Sequence, residues 1–149
     1  MEMMKLESIM EMWNKDSPVD ESSPQLELIK IPVLHSRYAR QMTLHSLALK
    51  SKNITLAQLK KAKYVYYSGK MSDEELKERN WVQNPLMILR ADLNVYIDGD
   101  ADVSELKMKI AIHEEAVVFC GLVIKELTSR TYQLREFIEF CRYQTGGVR

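Results

Sequence analysis

The chain has 149 residues, enough for one domain with a modest core, and 46% of them are hydrophobic. Five glycines and four prolines fit a helical protein better than a strand-and-turn one. Its 21 basic and 21 acidic residues cancel, so any electrostatic preference must lie in how the charge is arranged. No apolar run approaches the ~18 residues needed to span a bilayer; the longest, Ala116–Cys120 continuing past Gly121 to Ile124, reads as a buried helix face. The opening MEMMKLESIMEMW carries acids within its apolar pattern and does not read as a secretory signal. Cys120 and Cys141 read as reduced core residues of a cytoplasmic chain.

In chain order, Met3, Leu6, Ile9, Met10 and Trp13 recur at helical spacing and predict a first helix within residues 1–15. Asn14 to Pro18 ends it, and Asp16–Pro24 is a polar linker. Ser23 followed by Pro24 is a good helix start, because proline at the first position loses an amide that had no partner. Gln25–Lys50 continues at helical intervals through Leu26, Ile29, Tyr38, Met42 and Leu49. Pro32 falls inside it, which predicts a kink there or a helix that begins there. His35 and His45 do not share a face and are expected at the surface or partly buried, not as metal ligands.

Ser51-Lys52-Asn53 reads as a turn before a lysine–tyrosine helix, Leu56–Lys70. Thr55 with Gln58 is a capping-box pair, Ile54 and Leu59 form a staple, and Gly69 is placed to end the helix left-handed. Leu56, Leu59, Ala62 and Tyr66 share one face, with Lys60, Lys61 and Lys63 around the opposite side and Tyr64 and Tyr67 between them. No Asp or Glu occurs between Glu27 and Asp73, whereas Lys30, Arg37, Arg40, Lys50, Lys52, Lys60, Lys61, Lys63 and Lys70 do. These nine cations leave nine net negative charges elsewhere, a polarisation that implies a polyanionic partner. Ammonium groups pair with phosphates and tyrosine rings stack on unpaired bases of any identity, so this stretch suits a single strand. The plainer account is a solvated lysine face with half-buried tyrosines.

After Gly69 the sign of charge flips. Ser72 with Glu75 makes a second capping box, stapled by Met71 and Leu76, and Asp73, Glu74 and Glu75 complement the positive end of that helix. Trp81 reads as a core anchor. Asn84-Pro85 predicts a further helix, LMILRADLNVY, ended by Asp98-Gly99-Asp100. Val103, Leu106, Ile110, Val117, Cys120, Ile124 and Leu127 keep a three/four spacing over several turns. Ser129-Arg130 then separates a last helix with Leu134, Phe137, Ile138 and Cys141, and Gly146-Gly147 starts a frayed tail. Part of this apolar surface is expected to pair with other subunits, although intramolecular core explains the pattern nearly as well.

Catalytic chemistry is not legible. Ser68-Gly69-Lys70 lacks the upstream glycine and the strand of a phosphate-binding loop, and His113-Glu114-Glu115 lacks the second histidine of a zinc-protease helix. Asp98, Asp100 and Asp102 alternate as in a calcium loop, but position twelve is Lys109 where a glutamate is needed, and an acidic turn is the better account. Neither a metal nor another cofactor is implied, and an enzyme is not expected.

Lys61-Ala62-Lys63 followed by Tyr66-Tyr67-Ser68-Gly69-Lys70 resembles the Lys-Ala-Arg and Tyr-Tyr-Ser-Gly-basic motif of the UvsY family, recombination mediators of T-even-like phages. Arg90-Ala91-Asp92, Phe119-Cys120 and Ser129-Arg130 follow in the family's order, so the likeness runs roughly from Leu6 to Phe140. Lys63 departs from the usual arginine, and Tyr96–Asp102 and the tail beyond Arg142 look longer than the family requires. The resemblance implies an all-α chain that closes into homo-oligomeric rings of about six or seven subunits through its C-terminal helices. It implies a protein that binds single-stranded DNA and loads a RecA-like phage recombinase onto strands coated by the phage single-stranded-DNA-binding protein, in the cytoplasm of the infected bacterial host.

The expected organisation is therefore a single helical domain: an N-terminal helix (1–15), a basic DNA-binding region (24–70), an acidic connecting region (71–101) and an oligomerising helical region (102–143). Candidate DNA contacts are Lys60, Lys61, Lys63, Tyr64, Tyr67, Lys70, Arg37 and Arg40. Candidate subunit contacts are Val117, Ile124, Leu127, Leu134, Phe137 and Ile138. A helical adaptor whose basic face docks an acidic protein is the competing reading; a magnesium-dependent nuclease would need carboxylates beside the lysines.

Overall fold

Helix signals dominate the chain, and the computed structural model, which describes residues 2–84 and 86–146, consists of helices joined by turns and irregular segments, with no strand among the described residues. The order is α1 (Leu6–Asp16), α2 (Pro24–Tyr67), α3 (Asp73–Arg79), a 3-10 turn (Arg90–Asp92), α4 (Leu93–Asp98) and α5 (Ala101–Gln144). None of these helices is long and apolar enough to cross a membrane.

Two expected breaks do not occur. α2 starts at Pro24, runs through Pro32 and continues over Ser51-Lys52-Asn53. Thr55, predicted to open a new helix, instead donates its hydroxyl to the Ser51 carbonyl one turn back, at 3.2 Å. Polar residues cost only about 0.5 kcal/mol each in a helix interior, and a hydroxyl bonding back to the previous turn does not break it, so the turn residues do not interrupt the helix. The Ser129-Arg130 break is absent for the same reason: Thr128 and Thr131 bond back to the carbonyls of Ile124 and Leu127, and α5 continues. Conversely, the helix expected from Asn84-Pro85 is mostly missing. Pro85 lies outside the described residues, Asn84 Oδ1 accepts the Leu86 amide, and helical structure begins only at Arg90. Leu86, Met87 and Leu89 are exposed, so that apolar run is not held in a helix by packing.

The chain forms two compact units. One comprises the described residues up to Ala48 and from Ile112 onward; the other is Leu49–Ala111. The first is built on Ile9 of α1, Leu34 and Tyr38 of α2, and Cys120, Val123 and Leu127 of α5. Burial pushes the Cys120 thiol up to about 11, consistent with an inert core cysteine. The end of α1 is closed by side chains from the long helices. Buried Arg130 donates to the carbonyls of Asp16 (3.3 Å) and Ser17 (2.6 Å), satisfying groups that the helix end leaves without partners. Tyr38 donates to Asp16 Oδ2 at 2.8 Å, and burial, then that carboxylate, push its phenol well above its ordinary value.

Residues ahead of α1 are extended and pinned by buried polar groups of α2. Gln41 accepts the Met4 amide (2.8 Å) and donates to the Glu2 carbonyl (3.0 Å). His45 is fully buried, not exposed or partly buried as expected: its Nε2 donates to the Met4 carbonyl, and its Nδ1 shares a 2.8 Å hydrogen bond with His113 Nδ1. Every buried side-chain nitrogen or oxygen among the described residues has a partner.

Candidate nucleic-acid interface

The second unit contains the lysine–tyrosine stretch, and its geometry starts from how α2 ends. Gly69 adopts φ +77°, Lys70 donates its amide to the Val65 carbonyl, and Gly69 donates to that of Tyr66. This is the glycine stop expected there. α3 begins on Ser72, whose hydroxyl accepts the Glu75 amide at 3.3 Å, and ends at Asn80, left-handed at φ 56°. Buried Leu76 holds α3 in place, and the chain after Asn80 delivers Trp81.

Lys63 is not on the surface. Its side chain is 6% exposed, and its ammonium lies 2.8 Å from Asp102 Oδ2 and 3.1 Å from Asp100 Oδ2. The Trp81 ring centroid lies 3.9 Å from the same nitrogen. The expected outward-facing phosphate contact is thus a buried node that ties α2 to the start of α5. Tyr67 is drawn into the same node. Its hydroxyl donates to Asp100 Oδ2, and burial followed by that bond pushes the phenol well above its ordinary value. Its ring packs against Tyr66 and Tyr96 and is not laid open for stacking.

Asp100 also caps α5: its Oδ1 accepts the amides of Asp102 (2.9 Å) and Val103 (3.2 Å). The carboxylates needed beside the lysines are therefore present, brought in from a segment that sequence reasoning treated as an acidic turn. Asp100 just ahead of the helical apolar spacing that starts at Val103 was a readable N-cap signal. Among the described residues no group of three or more His, Cys, Asp or Glu is arranged to hold a metal ion.

Other predicted cations are placed differently. Lys60 is partly exposed with Asp98 Oδ1 at 4.0 Å, and Lys107 shares that oxygen at 3.6 Å. Lys61, Tyr64 and Lys70 are exposed, and neither Lys61 nor Lys70 is within ion-pair distance of a carboxylate among the described residues. In the first unit, Arg37 bonds Asp16 Oδ2 at 3.2 Å with its side chain one-third exposed, and Arg40 is exposed.

The predicted subunit contacts divide as well. Leu127 and Leu134 are buried inside the first unit and are unavailable to a neighbour, because α5 packs that stripe against α1 and α2 residues. Val117, Ile124, Phe137 and Ile138 are half-buried. The freely exposed apolar side chains of α5 within that unit include Val118 and Leu122, which the pattern did not single out.

The second unit thus buries one lysine of the basic stretch, Lys63, and leaves its neighbours Lys61 and Tyr64 exposed. Residues 12–147 match the family described as recombination, repair and single-stranded-DNA-binding protein UvsY, and the chain belongs to that family. It is a family of binding proteins and not of enzymes. The fold is similar to crystal structures of the bacteriophage T4 recombination mediator protein UvsY. One lattice form has a TM-score of 0.81 at 18% identity, covering 95% of this chain and 98% of that one. Another has 0.82 at 18% identity, covering 94% and 99%. No curated protein sequence matches the chain.

Proposed function

We propose that this protein is a phage recombination mediator that binds single-stranded DNA and helps seat a RecA-like recombinase on strands held by the phage single-stranded-DNA-binding protein, in the host cytoplasm. The observation that carries the reading is that Lys61 and Lys70, on either side of exposed Tyr64, are exposed with no carboxylate within ion-pair distance among the described residues, in the stretch that resembles the family's motif. Lys60 adds a cation only loosely held by Asp98. Lys63 and Tyr67 serve by fixing the end of α2, so that their neighbours face outward in a set geometry. Arg37 and Arg40 supply further positive charge from the first unit.

Each subunit offers a weak grip. A homo-oligomeric ring, closed through the half-buried and exposed apolar side chains of α5, repeats it, and one strand crossing several subunits gains through effective concentration. Bending over such an assembly loosens the coat protein and leaves a stretch the recombinase can enter. The test is strand binding against salt for the wild type and Lys60→Ala/Lys61→Ala. Each lost phosphate contact lowers the log–log slope by about 0.7. A double variant with wild-type affinity and slope removes these lysines from the interface.

A further inference from the structure

Between α2 and α3 in the second unit lies an open groove of about 470 Å³. That lies within the ~300–1,000 Å³ typical of ligand pockets. Its apolar lining is Ala62, Val65 and Met71. Lys61 reaches it from α2 and Arg79 from α3, with Glu75 and Glu78 also on the α3 side. No ion pair within 4.0 Å joins these four charges among the described residues. Exposed Arg79 lies against Trp81, its guanidinium carbon 5.1 Å from the ring centroid, a contact that leaves its charge available.

This mixture of groups narrows the occupant. A bare phosphate or an acidic peptide meets two carboxylates, and a basic peptide meets two cations. One nucleotide uses every part: its phosphate takes the cations, the base face takes the apolar lining, and an exocyclic amine donates to a carboxylate. Cytosine presents such an amine at N4 and thymine does not. Resting on the DNA-binding reading above, we infer that the groove is a single-nucleotide subsite on the strand's path, in which Arg79 is a second phosphate cation and Glu75 and Glu78 favour cytosine over thymine.

The experiment uses the full chain with labelled oligo-dC and oligo-dT of equal length, read by fluorescence anisotropy across a salt series. Wild type is expected to bind oligo-dC about threefold to tenfold more tightly. Glu75→Gln/Glu78→Gln, at two exposed positions that leave the fold intact, should bind both strands more tightly while bringing the ratio close to one. Arg79→Ala should weaken both and flatten the salt slope by about 0.7, and Arg79→Lys should restore the slope. A wild-type ratio of one, or a ratio that survives the double glutamine variant, overturns the subsite. So does an unchanged slope in Arg79→Ala. Lys70→Ala, outside the groove, separates the two claims. If it flattens the slope and the groove variants do nothing, only the subsite is wrong; if the wild type shows no salt-dependent strand binding, the reading beneath it falls too.

Discussion

Lys63 has exchanged water for two carboxylates and an indole face, so its loss strands charge that folding has already desolvated. Lys63→Ala should lower stability by about 3 kcal/mol, the low end for breaking a buried pair, because Asp102 keeps half its exposure. Lys63→Arg should recover most of that, since a guanidinium can fork between the two aspartates and stack on Trp81. Urea unfolding reads both. The same variants should keep the wild-type salt slope for strand binding, because no phosphate contact is lost; a shallower slope at unchanged stability contradicts the buried role. Asp100 gives the node a pH signature. Burial alone would raise its pKa, but bonds from the Tyr67 hydroxyl, the Val103 amide and Lys63 together outweigh it and hold the carboxyl below 3.8. A value lower folded than unfolded means its stabilisation is complete above 3.8 and is lost as pH falls through the folded value. The unfolding midpoint of the wild type should therefore decline below about pH 4, and Asp100→Asn should start lower and decline less steeply.

Glycines show how differently two helix positions use the same residue. Gly69 ends α2 at φ +77° with nothing within 4 Å of an added Cβ, so Gly69→Ala meets only backbone strain, about 1 kcal/mol of destabilisation. Gly121 lies inside α5, and an added Cβ meets Met42 Cε at 3.8 Å, an ordinary contact. Gly121→Ala should therefore stabilise by about 0.5–1 kcal/mol, through the entropy the glycine gives up on folding. Thermal unfolding of the two variants should move in opposite directions. The elements whose ends depend on local chemistry are those the sequence made legible: the Pro24 start, the Gly69 stop and the Ser72 cap. Turn residues lying inside a longer helix were misleading. Ser51-Lys52-Asn53 and Ser129-Arg130 carry turn residues, yet long helices run through them. Lys63 shows the same limit in the candidate site: helical spacing set it among exposed lysines, and only Asp100 and Asp102, some forty positions on, turn it inward.

Assembly is the whole-molecule claim, and it turns on α5 being apolar on more sides than one subunit covers. In the first unit Cys120, Val123 and Leu127 are taken up by the subunit's own core, while Val118 and Leu122, four apart on one face, stand 55% and 60% exposed. Periodicity alone could not separate the two stripes, because Val117-Val118 and Leu122-Val123-Ile124 are apolar runs with no polar residue to mark the boundary. Val118→Asp/Leu122→Asp places two carboxylates where neighbouring subunits would meet and leaves the core stripe untouched. Sedimentation should then show a shift from the assembled species to the monomer at unchanged helicity. If the ring is what makes many weak grips into one firm one, the same variant should bind a strand short enough for a single subunit nearly as well as wild type. On a strand spanning several subunits it should lose about a hundredfold, the low end of what linked sites add. Equal losses on short and long strands would place these side chains in the DNA contact itself, and an assembly that survives both aspartates would move the subunit boundary elsewhere on the protein.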